Sequence, residues 1–413
     1  MRYDCIVVGG GASGMVAAIF AARRGQRIAI IEHRERLGKK ILATGNGKCN
    51  YTNQVQTPDC YRGTHPEFAM AVLRQFDVEQ TIAFFQSLGI YPKVRNGYVY
   101  PNSEQAVAVA DVLAMELNNL KVEVFLKEHV LNIEKEEHGF LLKTEEKKEY
   151  RCHKVIVSTG GLAAPKQGSD GSGLKIMKRL GHTIVEPFPA LVQLKAEGKF
   201  FKQVSGVRID AKGEVFSNQK KLTEEIGEFL FTDYGISGIP VFQMSRYAVS
   251  SVLQGKKTQL LLDFFPHMTE NEFQLLWNNR IKAGGYKSIG ELFTGLLNNK
   301  LSNALLSEAK INPEISAKRL TKEDYAKLLK LLKSFPITIT GSNGFENAQI
   351  SAGGISSAEV NPETMESKIV KGLYLTGEIL DIDGTCGGYN LQWAWSTGAV
   401  AGQHIEIIDK NSR

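Results

Sequence analysis

The sequence predicts an α/β protein whose main domain is assembled from both ends of the chain around an inserted middle part. Two observations predict it. A strand, a glycine turn, a helix and a second strand follow one another within residues 4–32. A buried strand that runs into glycines, and then a helix, lie near the end of the chain at residues 373–406. Strands that alternate with helices are typical of parallel sheets covered on both faces.

The first of these segments has clear boundaries. Residues 4–8 (DCIVV) form a short β-rich run, and residues 12–24 are predicted to form a helix that ends before Gly25. Residues 27–31 (RIAII) form a second strand, closed by Glu32. This order is a βαβ unit, for which a right-handed crossover is expected.

Hydrophobic periodicity predicts the elements that follow. Apolar residues recur every three or four positions between residues 68 and 89, which predicts one long helix. The remaining elements of this part are a helix at 104–119 and strands at 121–126, 129–134, 139–144 and 154–158.

The character of the chain changes near residue 190. Short strand-like runs with glycine turns are followed by a lysine-rich helical stretch. We therefore expect three parts: an α/β domain formed by residues 1–190 and 337–413, a β-rich, barrel-like subdomain at 191–267, and a helical subdomain at 268–336.

Charge and cysteine content limit the kinds of partner and ligand that the chain is expected to have. The formal net charge is +6, and residues 192–333 carry 21 Lys and Arg against 15 Asp and Glu. This basic insert either contacts RNA or is an ordinary solvated lysine-rich surface. The five cysteines include no C-x-x-C pair, so no disulfide framework and no metal site are expected.

No apolar run reaches the ~18–20 residues of a membrane helix, and we expect a cytoplasmic protein without membrane contact.

A glycine motif lies between the first strand and the first helix. Gly9, Gly11 and Gly14 match G-x-G-x-x-G. The first glycine permits a tight turn, the second lets a pyrophosphate approach the backbone, and the third lets helix and strand pack closely. Glu32 follows 18 residues after Gly14, where a carboxylate accepts hydrogen bonds from ribose hydroxyls. The sequence therefore predicts a Rossmann-type dinucleotide site.

Three further glycine-rich segments accompany this motif. Residues 38–53 (GKKILATGNGKCNYTN) would bring amides and lysines to an anion or a ring edge, unless they form a plain surface loop. Residues 158–173 (STGGLAAPKQGSDGSG) line the same cofactor or cap the substrate. They do not form a second βαβ fingerprint, so NADH or NADPH is expected only as a transient electron donor. Residues 372–402 lead into a helix near Asn390 whose N-terminal amides would face an anion or the electron-rich end of a reduced flavin.

With these segments in place, the chain resembles the BaiN/YhiN-type bacterial flavoproteins, a family of NAD(P)/FAD-dependent oxidoreductases that includes aminoacetone-oxidase-like members. The most distinctive matching blocks are GKKILATGNGKCNYTN and GLYLTGEILDIDGTCGGYNLQWAWSTGAVAG, and matching blocks span nearly the whole chain in family order. The resemblance implies a glutathione-reductase-like FAD-binding domain, interrupted by a β-barrel-like and a helical subdomain.

The resemblance also implies which residues contact FAD. One block departs from the family, since Leu162-Ala163-Ala164 stands where relatives often carry Ser-Tyr, so a relative's substrate does not transfer directly. The residues expected at the cofactor are Gly9, Gly11, Ala12, Ser13, Gly14, Glu32, His33, Lys39, Lys40, Ala43, Gly45, Asn46, Gly47, Asn50, Val130, Thr159, Gly160, Gly161, Gly377, Glu378, Asp383, Gly387, Gly388, Asn390 and Leu391.

The activities implied by the resemblance diverge. Some relatives reduce a conjugated C=C bond, in uridine of ribosomal RNA or in unsaturated keto-steroids, and others oxidise small amines such as aminoacetone. We expect first an NAD(P)H-driven reductase of uridine in 23S rRNA, giving dihydrouridine. The alternatives are a small-amine oxidase that produces hydrogen peroxide, an unsaturated keto-steroid or bile-acid reductase, and a non-catalytic RNA-binding protein that holds FAD. Reduction of C=C needs a proton donor, for which Cys49, Cys386 and Tyr389 are the candidates.

Overall fold

The computed structural model describes residues 2–405, so Met1 and residues 406–413 of the predicted α/β domain lie outside the described residues. The helices are α1 (Ala12–Arg23), α2 (Glu67–Leu73), α3 (Val78–Ser87), α4 (Ala106–Asn119), α5 (Ser172–Arg179), α6 (Phe200–Val204), α7 (Ile239–Leu253), α8 (Glu270–Gly284), α9 (Ile289–Leu292), α10 (Asn299–Ala309), α11 (Lys322–Lys333) and α12 (Tyr389–Gln403).

The strands alternate with these helices in the first part of the chain and cluster in the middle. They are β1 (Arg2–Val8), β2 (Ile28–Glu32), β3 (Thr52–Asn53), β4 (Tyr61–Arg62), β5 (Pro92–Arg95), β6 (Tyr98–Pro101), β7 (Glu123–Leu126), β8 (Val130–Glu136), β9 (Gly139–Thr144), β10 (Glu149–Val157), β11 (Ile184–Ala190), β12 (Leu194–Ala196), β13 (Arg208–Ser217), β14 (Lys220–Thr232), β15 (Gly235–Ser237), β16 (Thr258–Asp263), β17 (Phe335–Ser342), β18 (Ile350–Ile355), β19 (Leu373–Leu375) and β20 (Asp383–Gly384).

The described chain divides into two compact units. Unit 1 contains residues 2–189 and 349–405, and unit 2 contains residues 190–348. Residues 337–342, which the sequence assigned to the α/β domain, belong instead to strand β17 of unit 2. The glycine-punctuated stretch around them has no residue that marks where one sheet ends and the next begins. The division of the insert into a β-rich and a helical subdomain stays a prediction.

The central sheet of unit 1 confirms the predicted Rossmann-type core. Its strand order is β7-β2-β1-β10-β9-β8, with β19 also paired to β10. Strands β7, β2, β1, β10 and β19 pair in parallel. All five residues of β2 and six of the seven of β1 are buried, as expected of parallel strands covered on both faces.

Strand β10 has different partners along its length. Its first half, Glu149–Cys152, pairs antiparallel with β9, and Val155–Val157 pair in parallel with β19. The sequence predicted only the second half, residues 154–158, because that half is the apolar one. The long strand thereby joins an antiparallel hairpin to the parallel core.

Helices α1 and α12 lie side by side at very short distance. A Cβ atom on Gly398 would lie 2.4 Å from the carbonyl oxygen of Ser13, and one on Gly402 would lie 2.4 Å from that of Ala17. Both positions therefore need glycine for close backbone approach. The second contact lies four residues after the first in both helices, so α1 and α12 run parallel. Helix α12 begins nine residues, or about 14 Å, before the first of these contacts.

The predicted single helix over residues 68–89 is wrong. The structure has two helices there, α2 and α3, separated at Asp77. Asp77 caps α3 by accepting a 2.9 Å hydrogen bond from the Gln80 amide, and the Gln80 side chain accepts one from the Asp77 amide. This reciprocal capping box starts a new helix within an unbroken apolar periodicity.

Unit 2 contains a closed six-stranded barrel, which confirms the barrel-like expectation. Its strand order is β12-β15-β14-β13-β16-β17. Burial alternates along β16 and β13, because successive side chains of a strand point to opposite faces. Phe200, Phe231, Phe264 and Phe335 form an aromatic cluster with ring centroids 4.6–6.5 Å apart. Among residues 2–405, no helix is both long and apolar enough to cross a membrane.

The substitution Gly398→Ala tests the contact between α1 and α12. Alanine is favoured over glycine in a helix by about 1 kcal/mol, so an unpacked helix would gain stability. The clash with the Ser13 carbonyl makes the substitution destabilising here. We expect a loss of about 1–3 kcal/mol in the free energy of unfolding. Urea unfolding of the variant and of Gly402→Ala measures it, and a gain in either variant would contradict the packing described.

Candidate cofactor site

The turn between β1 and α1 has the geometry that its glycines predict. Gly9 has a φ of 99°, and a Cβ there would lie 2.6 Å from the Ser158 carbonyl oxygen. A Cβ on Gly14 would lie 2.0 Å from the Gly9 carbonyl oxygen. Gly11 differs, because a Cβ there meets no atom within 4 Å. Two glycines are thus needed for packing, and the third faces open space at the start of α1.

Glu32 is fixed by the backbone around it. Its Oε2 accepts a 2.7 Å hydrogen bond from the Gly10 amide, and its Oε1 accepts one of 2.7 Å from the Arg34 amide. The residue is 7% exposed. Each carboxylate oxygen can accept a further bond, so the predicted contact with ribose hydroxyls is compatible with this arrangement.

His33 and Val130 lie together beside Glu32. The His33 ring lies 5.3 Å from that of His129, which precedes Val130 at the start of β8. Burial lowers the pKa of His33, so the ring is neutral near pH 7. Its Nδ1 is 3.3 Å from Glu32 Oε1, and its buried Nε2 has no hydrogen-bond partner among the described residues.

The loop at residues 38–53 turns sharply at its glycines. Residues Ile41–Gly47 form a 3₁₀ segment, in which Gly45 and Asn46 adopt left-handed φ values of 55° and 53°. Ala43, Gly45, Asn46 and Gly47 are exposed, and the buried Asn50 Oδ1 has no hydrogen-bond partner within residues 2–405.

The two lysines predicted at the cofactor are placed differently. Lys39 Nζ lies 2.8 Å from Glu35 on the surface. Lys40 Nζ lies 2.7 Å from Glu378 Oε2 and donates a 3.2 Å hydrogen bond to the Ala163 carbonyl. Lys40 therefore ties the loop to the carboxyl-terminal segment, and Lys39 does not.

The segment that follows β10 meets the carboxyl-terminal segment through Ser351. The Ser351 hydroxyl accepts hydrogen bonds of 2.8 and 2.9 Å from the amides of Leu162 and Ala163. Its amide donates a 3.0 Å bond to Glu378 Oε1. A Cβ on Gly161 would lie 2.7 Å from Ser351 Oγ. No motif in the sequence singles out Ser351, because its contacts form only when β18 and this turn are brought together.

Three other predicted residues of this region, Gly160, Gly377 and Thr159, are closely packed or carry a buried polar atom. A Cβ on Gly160 would lie 2.7 Å from Ser169 Oγ, and one on Gly377 would lie 2.5 Å from Ser13 Oγ. The buried Thr159 Oγ1 has no hydrogen-bond partner in the described part of the chain. Ser13 and Gly377 thus meet at the beginning of α1, beside Ala12.

Helix α12 begins at a glycine turn. Gly387 and Gly388 have φ values of 134° and 94°, and no side chain of the described residues caps the helix. The Asn390 side chain is bonded to the turn, since its Oδ1 accepts a 2.8 Å bond from the Gly384 amide and its Nδ2 donates a 2.9 Å bond to the Gly384 carbonyl. Asp383 is buried in β20, and Leu391 is half-buried. The first amides of α12 therefore provide partial positive charge at this turn.

The three candidate proton donors occupy two places. Cys49 is fully buried in the 38–53 loop, and burial raises its pKa to about 12. Cys386 and Tyr389 lie on the turn before α12 and in its first residue, and burial raises the pKa of each. Cys60 lies near Tyr389 and also raises its pKa, and sequence reasoning missed Cys60 because it lies in no recognised motif.

Comparison with known proteins identifies the family. Residues 3–404 match the model of the HI0933-like protein Rossmann domain. The chain belongs to the HI0933-like family. Members of this family are FAD-dependent oxidoreductases, and the expected resemblance to the BaiN/YhiN-type flavoproteins is confirmed.

Two enzyme activities are represented among the relatives. The chain is 43% identical over 399 residues to a 3-dehydro-bile acid delta(4,6)-reductase of Clostridium scindens, covering 96% of this chain and 97% of that protein. It is 28% identical over 420 residues to a ribosomal RNA dihydrouridine synthase of Escherichia coli, covering all of both chains. A ribosomal RNA dihydrouridine synthase of Haemophilus influenzae is 28% identical over 405 residues, with 95% and 96% covered.

The residues present in unit 1 fit FAD. Open space lies in front of Gly11 at the start of α1, where a pyrophosphate would meet helix amides. Three of the predicted contacts, His33, Asn50 and Thr159, carry a buried polar atom that has no hydrogen-bond partner among residues 2–405. A bound dinucleotide would supply partners for such atoms.

A matched pair of substitutions tests the position of the pyrophosphate. We propose that it lies against Gly11. Gly11→Ala introduces no clash at a φ of −80°, so the apoprotein should keep its free energy of unfolding while FAD affinity falls about tenfold or more. Gly14→Ala, which clashes with Gly9, should destabilise the apoprotein itself. Fluorescence titration with FAD and urea unfolding of both apoproteins measure this, and unchanged FAD affinity in Gly11→Ala would refute the placement.

Proposed function

We propose that the chain is an NAD(P)H-driven, FAD-dependent reductase of a C=C bond conjugated to a carbonyl group. The observation that carries the proposal is the pair of protonated groups, the partly exposed Cys386 and the buried Tyr389, on the turn that opens α12. Burial raises the pKa of both, so each holds its proton near neutral pH. A reductase needs such a donor, because hydride addition to one carbon must be completed by a proton on the other.

FAD held in this site would supply the hydride for the carbon β to the carbonyl, with NAD(P)H as the source of its two electrons. The chain's residues hold the cofactor and deliver the proton to the α carbon. We propose that Gly11 and the first turn of α1 hold the pyrophosphate, and that Glu32 holds the ribose. The uncapped amides of α12 provide positive potential beside the donor pair.

Cys386 is the better donor of the two. Tyr389 is only 9% exposed, so its hydroxyl is less accessible to a substrate. Cys386 is partly exposed at the same turn. Cys49 is fully buried and is therefore proposed to be structural.

A polycyclic enone of the bile-acid class is the proposed substrate. The relative that is 43% identical along its whole length is named for reduction of a bile acid, whereas the named dihydrouridine synthases are 28% identical. This order reverses the expectation from sequence, which placed uridine in 23S rRNA first. Uridine remains the second candidate, because its reduced bond is also conjugated to a carbonyl. A small-amine oxidase is less well supported, since amine oxidation requires no proton donor.

The substitution Cys386→Ala tests the proton donor. We expect the reoxidation of the reduced enzyme by a conjugated enone to slow about 100-fold, because general acid catalysis typically contributes at least that factor. Flavin reduction by NADPH or NADH should change less than about twofold. Anaerobic stopped-flow absorbance separates the two half-reactions, and Tyr389→Phe is the matched control with an expected loss under about tenfold. Equal rates in Cys386→Ala and the wild type would remove Cys386 from this role.

The pH dependence of the same half-reaction provides a second test. A donor must be protonated, so the rate falls as pH rises through its pKa. Because burial raises the pKa of Cys386, the fall should begin only above the ordinary thiol value of about 8.5. Rates measured from pH 6 to 10 should show a plateau followed by an alkaline decrease, and Cys386→Ala should lack that decrease. A decrease that begins below pH 8 would be inconsistent with the assignment.

A further inference from the structure

A β-hairpin of unit 1 presents a mixed cationic and aromatic face beside the turn that opens α12. In the hairpin β5–β6, Lys93 lies opposite Tyr100 and Arg95 lies opposite Tyr98. Residues directly opposite each other in an antiparallel pair share a face of the sheet. All four side chains therefore lie on one face, while Val94 and Val99 share the other.

This face adjoins the proposed proton donor. A Cβ on Gly387 would lie 2.9 Å from Tyr98 Cε1, so the Tyr98 ring touches the residue that follows Cys386. Burial raises the pKa of Tyr100 and the nearby Cys386 adds to that increase, so Tyr100 and Cys386 lie in the same neighbourhood. Tyr98 is 37% exposed, so part of its ring remains available to a ligand.

Three cations converge at the outer end of the face. Lys93 Nζ and Arg95 Nη2 both lie 2.9 Å from Glu104 Oε1, and Lys48 Nζ lies 3.4 Å from Glu104 Oε2. We name Lys48, Lys93 and Arg95 the cation cluster. Three positive charges surround one carboxylate, which leaves a surplus of two. Side-chain exposures of 50%, 34% and 55% leave their donors accessible to a second anion.

We propose that the cation cluster binds a carboxylate on the enone substrate, whose ring system lies against Tyr98 and Tyr100. The inference rests on the proposed reductase function and assigns the residues that receive the acidic group of the substrate. Arginine and lysine converging on one point suit a single carboxylate. A nucleic-acid strand carries a charge every ~3.4 Å along its axis and needs cations in a line, so the compact cluster favours the carboxylate.

Glu104 keeps the cluster together in the absence of substrate. Its hydrogen bond with Lys93 lowers the pKa of Glu104, so its carboxylate stays ionised at a lower pH than an ordinary glutamate does. Removing its charge should leave the cations with a larger positive surplus. Glu104 is thus a positioning residue that also limits the affinity for anions.

Two probes that differ only in charge test the proposal with the intact holoenzyme. These are 3-oxochol-4-enoic acid and its methyl ester, with NADPH or NADH as donor. In the wild type, we expect the KM of the acid to be about tenfold lower than that of the ester. Arg95→Met and Lys93→Met should each raise the KM of the acid about fivefold and leave kcat and the ester's KM unchanged.

Two further variants sharpen the test. Glu104→Gln should act in the opposite direction and lower the KM of the acid severalfold. Arg151→Met is the matched control: it removes an exposed arginine of β10 that pairs with Glu136 of β8, and it should have no effect on either probe.

The outcomes separate the inference from the function on which it rests. Equal KM values for acid and ester in the wild type and all variants would overturn the inference and leave the reductase function standing. Reduction of neither probe would overturn both the inference and the assignment of a bile-acid substrate. Loss of salt-dependent 23S rRNA binding in Arg95→Met, with an unchanged acid-to-ester ratio, would overturn the carboxylate assignment in favour of RNA phosphates.

Discussion

The close contact between α1 and α12 is the constraint on which the cofactor site depends. Glycines at two successive turns of α12 let its backbone approach the carbonyls of Ser13 and Ala17. Because the helices run parallel, both present their amino ends in the same direction. Neither amino end is capped by a side chain among the described residues. One contact therefore aligns two regions of positive potential, one at the glycine motif and one at the Cys386 turn.

Polar groups around these helix ends are of two kinds. Glu32, Lys40 and Glu378 are already bonded to protein groups, so their positions are fixed before a ligand arrives. His33, Asn50 and Thr159 instead carry buried atoms that have no hydrogen-bond partner within residues 2–405. The first group provides a rigid frame, and the second provides the binding capacity that a dinucleotide would use.

Most of the fold could be predicted from sequence, because the glycine motif and the buried strands carry local patterns. The break at Asp77 could not be predicted from periodicity, since α2 and α3 continue one apolar stripe and only a capping box separates them. The end of the insert was also missed, because β17 pairs with strands far away in sequence. In the site, glycine positions follow from the motif, whereas Ser351 and Cys60 have no local pattern. Their partners are set by tertiary contacts alone.

The packing of α12 on α1 has a consequence for how the chain is made. Ser13 Oγ donates a 3.5 Å hydrogen bond to the Thr376 carbonyl across 363 residues of sequence. During synthesis, the first helix therefore leaves the ribosome long before the partner that covers it. Contacts between residues so far apart in sequence form late, because closing the long loop between them has a large entropic cost. The amino-terminal βαβ unit must wait through translation of the whole barrel, and nascent chains are most exposed to aggregation in that interval.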